Sequence, residues 1–244
     1  MSKNFELLRR AGWGEEYLEG VPAPVQTKRS PVIRQETMER HADPISALVR
    51  KLFYRTGSTD IRCIVFLGYA ENSGGTSVCA RAASALATQV EDRVCVVDVK
   101  FKNPSVHKIF GKDNLTGLRD AVQHSRSGSN FVKQLEESNL WVLPAGAEDG
   151  AQRAAVSQRD LSTCLAQLKS EFAYMLIDAP PLNSKSELSA LAEVSDGAVL
   201  VVDSSGLTAD AALRGRSKLR NSKLRLLGMV LNQDQASLLR SLRN

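Results

Sequence analysis

The chain lacks several features that would assign it to common classes of protein. Its longest apolar runs, such as 197–202, are far shorter than the ~20 residues that span a bilayer. Its start carries no apolar signal core and no small-residue cleavage site, which argues against secretion. The four cysteines are widely spaced and the three histidines are scattered, so we expect reduced core cysteines and no zinc site. A cytoplasmic protein is the resulting expectation.

The positive charge of the chain is concentrated near its C-terminus. Lys and Arg number 32 against 27 Asp and Glu, and residues 204–244 hold eight basic and two acidic residues. Arg214 with Lys218 and Arg216 with Arg220 have the spacing of neighbours on one helix face. Such a surplus fits nucleic acid, anionic lipid, an acidic partner or a solvated helix face, and the sequence leaves these alternatives open.

Composition divides the chain into three parts. Residues 1–42 mix apolar and charged residues and then hold three prolines, which predicts a docking segment followed by a Pro-rich linker. Residues 43–235 are expected to form the folded domain, and 236–244 a basic C-terminal tail.

The folded part alternates short apolar runs with helix-like stretches. Continuous apolar runs between helices are typical of strands buried on both faces of a parallel sheet, so we predict a three-layer α/β fold. The predicted strands are 64–67, 94–97, 140–143, 174–177, 198–202 and 226–231, and the predicted helices are 44–53, 78–89, a stretch after Pro104, 160–171, 185–194 and 208–220.

The turns that follow the predicted strands carry the candidate site residues. Parallel sheets bind ligands at this edge, and the turn 68–77 enters a helix with a Gly-Gly-Thr-Ser ending that suits a phosphate loop. The pattern G-x-x-x-x-G-K-[ST] requires lysine at position 75, where Gly75 stands. Asp98 and Asp178 follow two further strands; such an acid suits Mg²⁺, but it equally caps a turn.

Together these motifs resemble the cytoplasmic tyrosine autokinases of bacteria. These P-loop proteins are related to the cell-division and partition ATPases and work with membrane polysaccharide copolymerases in capsule and exopolysaccharide production. The resemblance covers about residues 43–232 and implies a three-layer α/β/α P-loop NTPase-like fold with a mainly parallel sheet. It includes D-x-D-x-R-x-P-x-x-H-x-x-F, matched by Asp98, Pro104, His107 and Phe110 with Lys102 at the arginine position, and the segments 115–118, 177–181, 196–202 and 227–232.

The resemblance also implies the ligands and the residues that hold them. ATP or ADP with Mg²⁺ is the family's ligand, and Asn232 corresponds to the asparagine beside the adenine. Thr76 and Ser77 also suit a helix N-terminus without any ligand. The implied nucleotide residues are Ser73, Gly74, Gly75, Thr76, Ser77 and Asn232, the implied metal residues are Thr76, Asp98 and Asp178, and the catalytic candidates are Asp98, Lys100 and Asp178.

Departures from the family pattern fall on the chemistry. Gly75 replaces the P-loop lysine, Lys100 replaces the second acid of the second motif, and the last tyrosine, Tyr174, lies in a predicted buried strand. The family's assembly pattern E-x-x-R-x-x-R keeps only Arg50, which favours a monomer or homodimer over a ring. Since phosphoryl transfer depends on positioned cations, these losses predict weak or absent nucleotide binding and impaired catalysis.

We therefore interpret the sequence as a catalytically impaired member that regulates or scaffolds a membrane complex for exopolysaccharide or capsule synthesis and export. Its expected partner is the polysaccharide copolymerase or a paralogous kinase, with contact to an anionic membrane surface and no specific nucleic acid. Two alternatives stay open: an active tyrosine kinase or ATPase with an unorthodox P-loop, and a partition-type positioning ATPase. A further hypothesis is that Lys100 partly replaces the charge lost at Gly75; its alternative is a lysine in an empty pocket or in solvent.

Overall fold

A seven-stranded sheet organises the part of the chain that the structure describes. The computed structural model describes residues 44–54, 61–147, 156–182, 188–203 and 209–232. The predicted docking segment, linker and basic tail lie outside these residues. The strands are β1 (Cys63–Gly68), β2 (Val94–Asp98), β3 (Lys133–Gln134), β4 (Leu140–Leu143), β5 (Tyr174–Ala179), β6 (Gly197–Asp203) and β7 (Leu226–Asn232).

The helices alternate with these strands along the chain. They are α1 (Pro44–Phe53), α2 (Gly75–Ala87), α3 (Val106–Ile109), α4 (Leu118–Gln123), α5 (Gln158–Glu171), α6 (Leu188–Val194) and α7 (Ala209–Asn221), with a 3₁₀ helix at Gly128–Phe131. The strand order is β3-β4-β2-β5-β1-β6-β7, and every pairing is parallel except that of β3 with β4. Parallel strands end at the same edge, so the turns after β1, β2 and β5 meet there.

Two hydrophobic cores cover the two faces of the sheet. Every residue of β1 is buried, and its side chains alternate between the cores because successive residues of a strand face opposite sides. Val65 belongs to the core that includes Leu165 of α5 and Leu191 of α6. Phe66 belongs to the core that includes Val49 of α1 and Leu86 of α2. The predicted three-layer α/β/α fold with a mainly parallel sheet is therefore confirmed.

The predicted elements agree with the structure except where elements are very short. The six long apolar runs are strands, and the four cysteines are buried and unpaired, as expected. The helix α4 and the strand β3 were not predicted, because six and two residues are too few to show a hydrophobic period. Tyr174 lies in β5 as predicted but is only half-buried. No helix in the described segments is long and apolar enough to cross a membrane.

Asp196 fastens the edge of the sheet where β1 and β6 begin. Its carboxylate accepts hydrogen bonds from the backbone N–H groups of Arg62 and Cys63, each at 2.7 Å, and from Lys169 Nζ of α5 at 2.8 Å. Burial raises the pKa of Asp196, but the hydrogen bonds from Lys169 and the two N–H groups outweigh burial and leave this pKa below its ordinary value. The acid therefore joins two strands and a helix at the edge opposite the candidate site.

We predict that Asp196→Ala destabilises the fold without changing ligand binding. The variant removes three charge-assisted hydrogen bonds, which lowers the free energy of unfolding by about 2–3 kcal/mol. The melting temperature, followed by circular dichroism, is expected to fall by about 4–12 °C. Glu193→Ala, at an exposed position of α6, is the control and leaves the melting temperature unchanged. Equal melting temperatures for the two variants would contradict this role of Asp196.

Candidate functional site

A cleft of about 1540 Å³ opens at the carboxyl edge of the sheet. Most residues predicted from the sequence to bind a ligand line this cleft. Two do not: Asp98 is buried beneath it with no exposed surface, and Asn232 contacts the turn from the end of β7. The predicted residues that line it are Ser73, Gly74, Gly75, Thr76, Ser77, Lys100 and Asp178.

The turn between β1 and α2 is held by its own backbone and by Asn232. Gly74 has a φ of 85°, which favours glycine, and a Cβ there would lie 2.1 Å from Asn232 Nδ2. Asn232 Nδ2 donates to the Ser73 carbonyl at 3.2 Å. The Ser73 hydroxyl donates to the Ala70 carbonyl at 2.8 Å and accepts from the Ala70 N–H at 3.0 Å. Asn232 thus shapes the turn, and its predicted place beside an adenine stays a prediction.

Gly75 packs closely against the backbone of β1. A Cβ on Gly75 would lie 2.9 Å from the backbone nitrogen of Gly68 and 3.4 Å from its Cα. Backbone atoms cannot move aside as a flexible side chain can, so any side chain at this position displaces the turn. The position where the sequence pattern requires a lysine is therefore built for glycine in this chain.

Lys100, Thr76 and Asp178 form a chain of hydrogen bonds on the wall of the cleft. Lys100 Nζ donates to Thr76 Oγ1 at 2.9 Å, and Thr76 Oγ1 donates to Asp178 Oδ2 at 2.8 Å. Lys100 follows β2, Thr76 lies in the first turn of α2 after β1, and Asp178 lies near the end of β5. The parallel register of the strands brings them together. The ammonium of Lys100 therefore lies in the cleft, not in solvent.

The two strand-end acids have different surroundings. Asp98 Oδ1 accepts from the Lys100 N–H at 3.0 Å, and its Oδ2 accepts from the N–H groups of Ser105 and Val106, each at 3.1 Å. These bonds fix the turn that carries Lys100. Asp178 is 1% exposed, and within the described residues its Oδ1 has no hydrogen-bond partner. The carboxylate of Asp98 is thus fully used by backbone N–H groups, whereas Asp178 keeps one oxygen without a partner.

Burial sets the protonation of both acids. It raises the pKa of Asp178 to about 7, with a further increase from the charge of Asp98 and opposing effects of Lys100 and the Thr76 hydrogen bond. Burial also raises the pKa of Asp98, although the three backbone N–H groups that donate hydrogen bonds to it act to lower this pKa. The carboxyl group of Asp178 is therefore partly protonated near neutral pH.

The cleft also holds residues that were not predicted as site residues. His107 lines it, its Nδ1 is buried without a partner among the described residues, and burial lowers its pKa, so the ring is neutral near pH 7. Lys108, Asn114 and Asp203 line it as well. The histidine of the second motif was the one available signal; no motif marks the other three.

The fold, the glycine turn and the strand-end acids define the class of P-loop NTPases. The ParA family model, described as NUBPL iron-transfer P-loop NTPase, matches residues 72–239. The chain therefore belongs to the ParA family of P-loop NTPases. Among the described residues, no group of three or more His, Cys, Asp or Glu side chains is placed to bind a metal ion.

Individual relatives confirm the predicted resemblance to bacterial tyrosine kinases. The chain is 22% identical to CapB of Staphylococcus aureus over 75% of this chain and 79% of CapB. It is 20% identical to the tyrosine-protein kinase YwqD of Bacillus subtilis over 86% of this chain and 88% of YwqD.

Solved structures support the same fold. The kinase domain of the Escherichia coli tyrosine kinase ETK superposes with a TM-score of 0.73 at 18% identity, covering 93% of this chain and 92% of that domain. The septum site-determining protein MinD of Pyrococcus horikoshii, complexed with Mg-ADP, superposes with a TM-score of 0.60 at 22% identity, covering 70% of each chain.

We predict that the stability of the protein falls as the pH rises towards 8. The folded-state pKa of Asp178 lies near 7, and its ordinary value is 3.8. The protonated carboxyl group therefore makes its full contribution to the free energy of unfolding below about pH 4, and this contribution is lost above about pH 7. The loss amounts to at most about 4 kcal/mol. Asp178→Asn keeps an acceptor for Thr76 but cannot ionise, so urea unfolding in EDTA is expected to show a weaker pH dependence.

The control for this prediction is Asp92→Asn, which changes an exposed carboxyl. It is expected to keep the wild-type pH dependence. The same pH dependence in Asp178→Asn and the wild type would show that Asp178 is not the group responsible.

A second prediction concerns Gly75. Gly75→Ala places a Cβ 2.9 Å from the Gly68 nitrogen, and such overpacking is expected to cost about 1–3 kcal/mol. Thermal unfolding is expected to show a melting temperature about 2–12 °C lower. Gly228→Ala is the matched control, since a Cβ there meets nothing within 4 Å. A variant at position 75 as stable as this control would show that the turn accepts a side chain.

Proposed function

We propose that the chain binds a nucleotide in this cleft but is impaired in phosphoryl transfer, and that it regulates or scaffolds a membrane complex for exopolysaccharide or capsule synthesis and export. The observation that supports impairment is the hydrogen bond from Lys100 Nζ to Thr76 Oγ1 at 2.9 Å. In a P-loop this hydroxyl contacts Mg²⁺ and the preceding lysine reaches the phosphates. Here an ammonium bonds the hydroxyl, and Gly75 supplies no lysine.

The chemistry of phosphoryl transfer explains why these changes reduce turnover. Charge spreads over the phosphoryl oxygens in the transition state, and the protein contributes chiefly by positioning cations around it. The family pattern has an acid at position 100, where this chain has a lysine. An acid that helps to position the metal or the nucleophile is therefore lost. Acid–base assistance alone is worth about 10²–10⁴ in rate. A nucleotide that stays bound without reacting suits a regulatory role.

The proposed setting follows from the relatives and from the basic helix α7. CapB and YwqD cover three quarters or more of this chain, and their resemblance implies a membrane polysaccharide copolymerase or a paralogous kinase as the partner. Arg214 and Lys218, four residues apart, are exposed on one face of α7, although Lys218 Nζ also donates to the Leu182 carbonyl at 3.1 Å. We assign this face to the acidic part of the partner or to anionic lipid at the inner face of the membrane.

The remaining parts of the chain complete the proposal. Residues 1–42 serve as the docking segment and linker, 43–235 as the P-loop domain and 236–244 as a basic tail. A monomer or homodimer is proposed, because Arg50 is the one member of the family's assembly pattern that the sequence keeps.

Two specific observations favour other functions. YwqD is named as a tyrosine-protein kinase, and the similarity to it favours an active kinase or ATPase with an unorthodox P-loop. The likeness to MinD favours a partition-type positioning ATPase. Both require turnover, whereas the proposed regulator does not.

We predict that the full chain binds ATP or ADP without turnover. Calorimetry is expected to show binding, while phosphate release stays at the rate of ATP alone and no phosphotyrosine forms. The lack of phosphate release and of phosphotyrosine follows from the absence of a lysine at position 75. Thr76→Ala serves as the control, because turnover from this cleft would disappear in that variant and turnover from a contaminant would not. Phosphate release or phosphotyrosine that is lost in Thr76→Ala would overturn the proposed impairment.

A further inference from the structure

We infer that the ammonium of Lys100 stands where a P-loop protein holds its Mg²⁺, so that the cleft takes a nucleoside di- or triphosphate without a divalent cation. This inference rests on the proposed function and names the ionic form of its ligand. In this inference Lys100 replaces the metal ion and not the P-loop lysine, because its Nζ contacts the Thr76 hydroxyl, which contacts Mg²⁺ in a P-loop.

The first argument is the state of the Thr76 hydroxyl. A hydroxyl has one hydrogen to donate and two lone pairs. Thr76 Oγ1 gives its hydrogen to Asp178 Oδ2 at 2.8 Å and accepts the hydrogen of Lys100 Nζ at 2.9 Å. A Mg²⁺ ion bonds its oxygen ligands at about 2.1 Å. Such an ion on Thr76 would lie against the ammonium, and the two positive charges would repel each other.

The second argument is the shortage of other ligands for a metal. Mg²⁺ in nucleotide sites is usually held by one or two carboxylates together with phosphates and water. Asp98 uses both oxygens for three backbone N–H groups. Of the two strand-end acids, only Asp178 has an oxygen, Oδ1, without a partner among the described residues. Thr76 and these two acids therefore do not fit a divalent cation as long as Lys100 keeps its position.

The third argument is that the backbone holds Lys100 in place. Its N–H donates to Asp98 Oδ1 at 3.0 Å, and the N–H of the preceding Val99 donates to the Asp178 carbonyl at 2.9 Å. These bonds fix the backbone of Lys100, and the bond from its Nζ to Thr76 Oγ1 places the ammonium in the cleft. A cation that is already in place needs little reorganisation to meet a phosphate, which favours binding of an anion.

The surroundings fit a polyphosphate that carries its own charge into the cleft. Gly74 and Gly75 line the cleft at the start of α2. Lys108 and Lys100 both line the same cleft. Glu71 and Asp203 also line it. Because these acids repel phosphates, the phosphates are expected beside the two lysines.

The test is calorimetry of the full chain with ATP and with ADP, once in EDTA and once in excess MgCl₂. The expected result is binding in EDTA that is at least as tight as binding in MgCl₂. Lys100→Met keeps the length of the side chain but removes its charge, and it is expected to lower the affinity in EDTA by about tenfold or more. Lys102→Met removes the same charge at an exposed position outside the cleft, and it is expected to bind as the wild type does.

A second readout does not depend on nucleotide. MgCl₂ alone is expected to leave the melting temperature of the wild type unchanged and to raise that of Lys100→Asp, because the new acid faces Thr76 and Asp178 without an ammonium. A rise in the wild type equal to that in Lys100→Asp would overturn the inference.

The outcomes separate this inference from the proposed function. Nucleotide binding that requires MgCl₂ would overturn the inference and leave the proposed nucleotide site standing. No binding in either buffer would overturn the nucleotide site itself. Equal affinity of Lys100→Met and the wild type in EDTA, with both proteins folded, would show that Lys100 is not the cation that receives the phosphates.

Discussion

Two buried carboxyl groups that lie side by side are the constraint on which the candidate site depends. The parallel pairing of β2 with β5 places Asp98 directly opposite Asp178, and burial opposes two negative charges at that point. The chain meets this constraint by separating their roles. Asp98 accepts hydrogen bonds from three backbone N–H groups. Asp178 accepts a hydrogen bond from Thr76, close to the positive charge of Lys100. The cation that a P-loop protein receives with its ligand is here part of the chain.

The glycine at position 75 is consistent with this arrangement. A lysine in the turn and a lysine at position 100 would bring two ammonium groups into one cleft beside Thr76, where they would repel each other. The turn instead packs against Gly68 so closely that a Cβ meets backbone at 2.9 Å. The change at Gly75 and the change at Lys100 are therefore parts of one rearrangement of charge.

The sequence predicted the fold more completely than the site. The strands were predictable because their residues are buried on both faces and form uninterrupted apolar runs, whereas α4 and β3 are too short to show a period. The turn, Lys100 and Asp178 were predictable as neighbours because parallel strands end at one edge. The bond from Lys100 Nζ to Thr76 Oγ1, and that from Asn232 to Ser73, were not, because they depend on side-chain directions across 24 and 159 residues of sequence.

Three residues of the cleft lie outside the hydrophobic cores of the fold. Within the described residues, neither hydrophobic core includes Gly75, Thr76 or Lys100. The cores fix where the strands end, and Asp196 fastens the opposite edge. A few side chains at the carboxyl edge can therefore change the ionic form of the ligand, from a metal complex to a free polyphosphate, while the strands keep their register. Under the proposed function, a ParA-family fold loses turnover in this way and still presents a nucleotide-dependent surface to a partner.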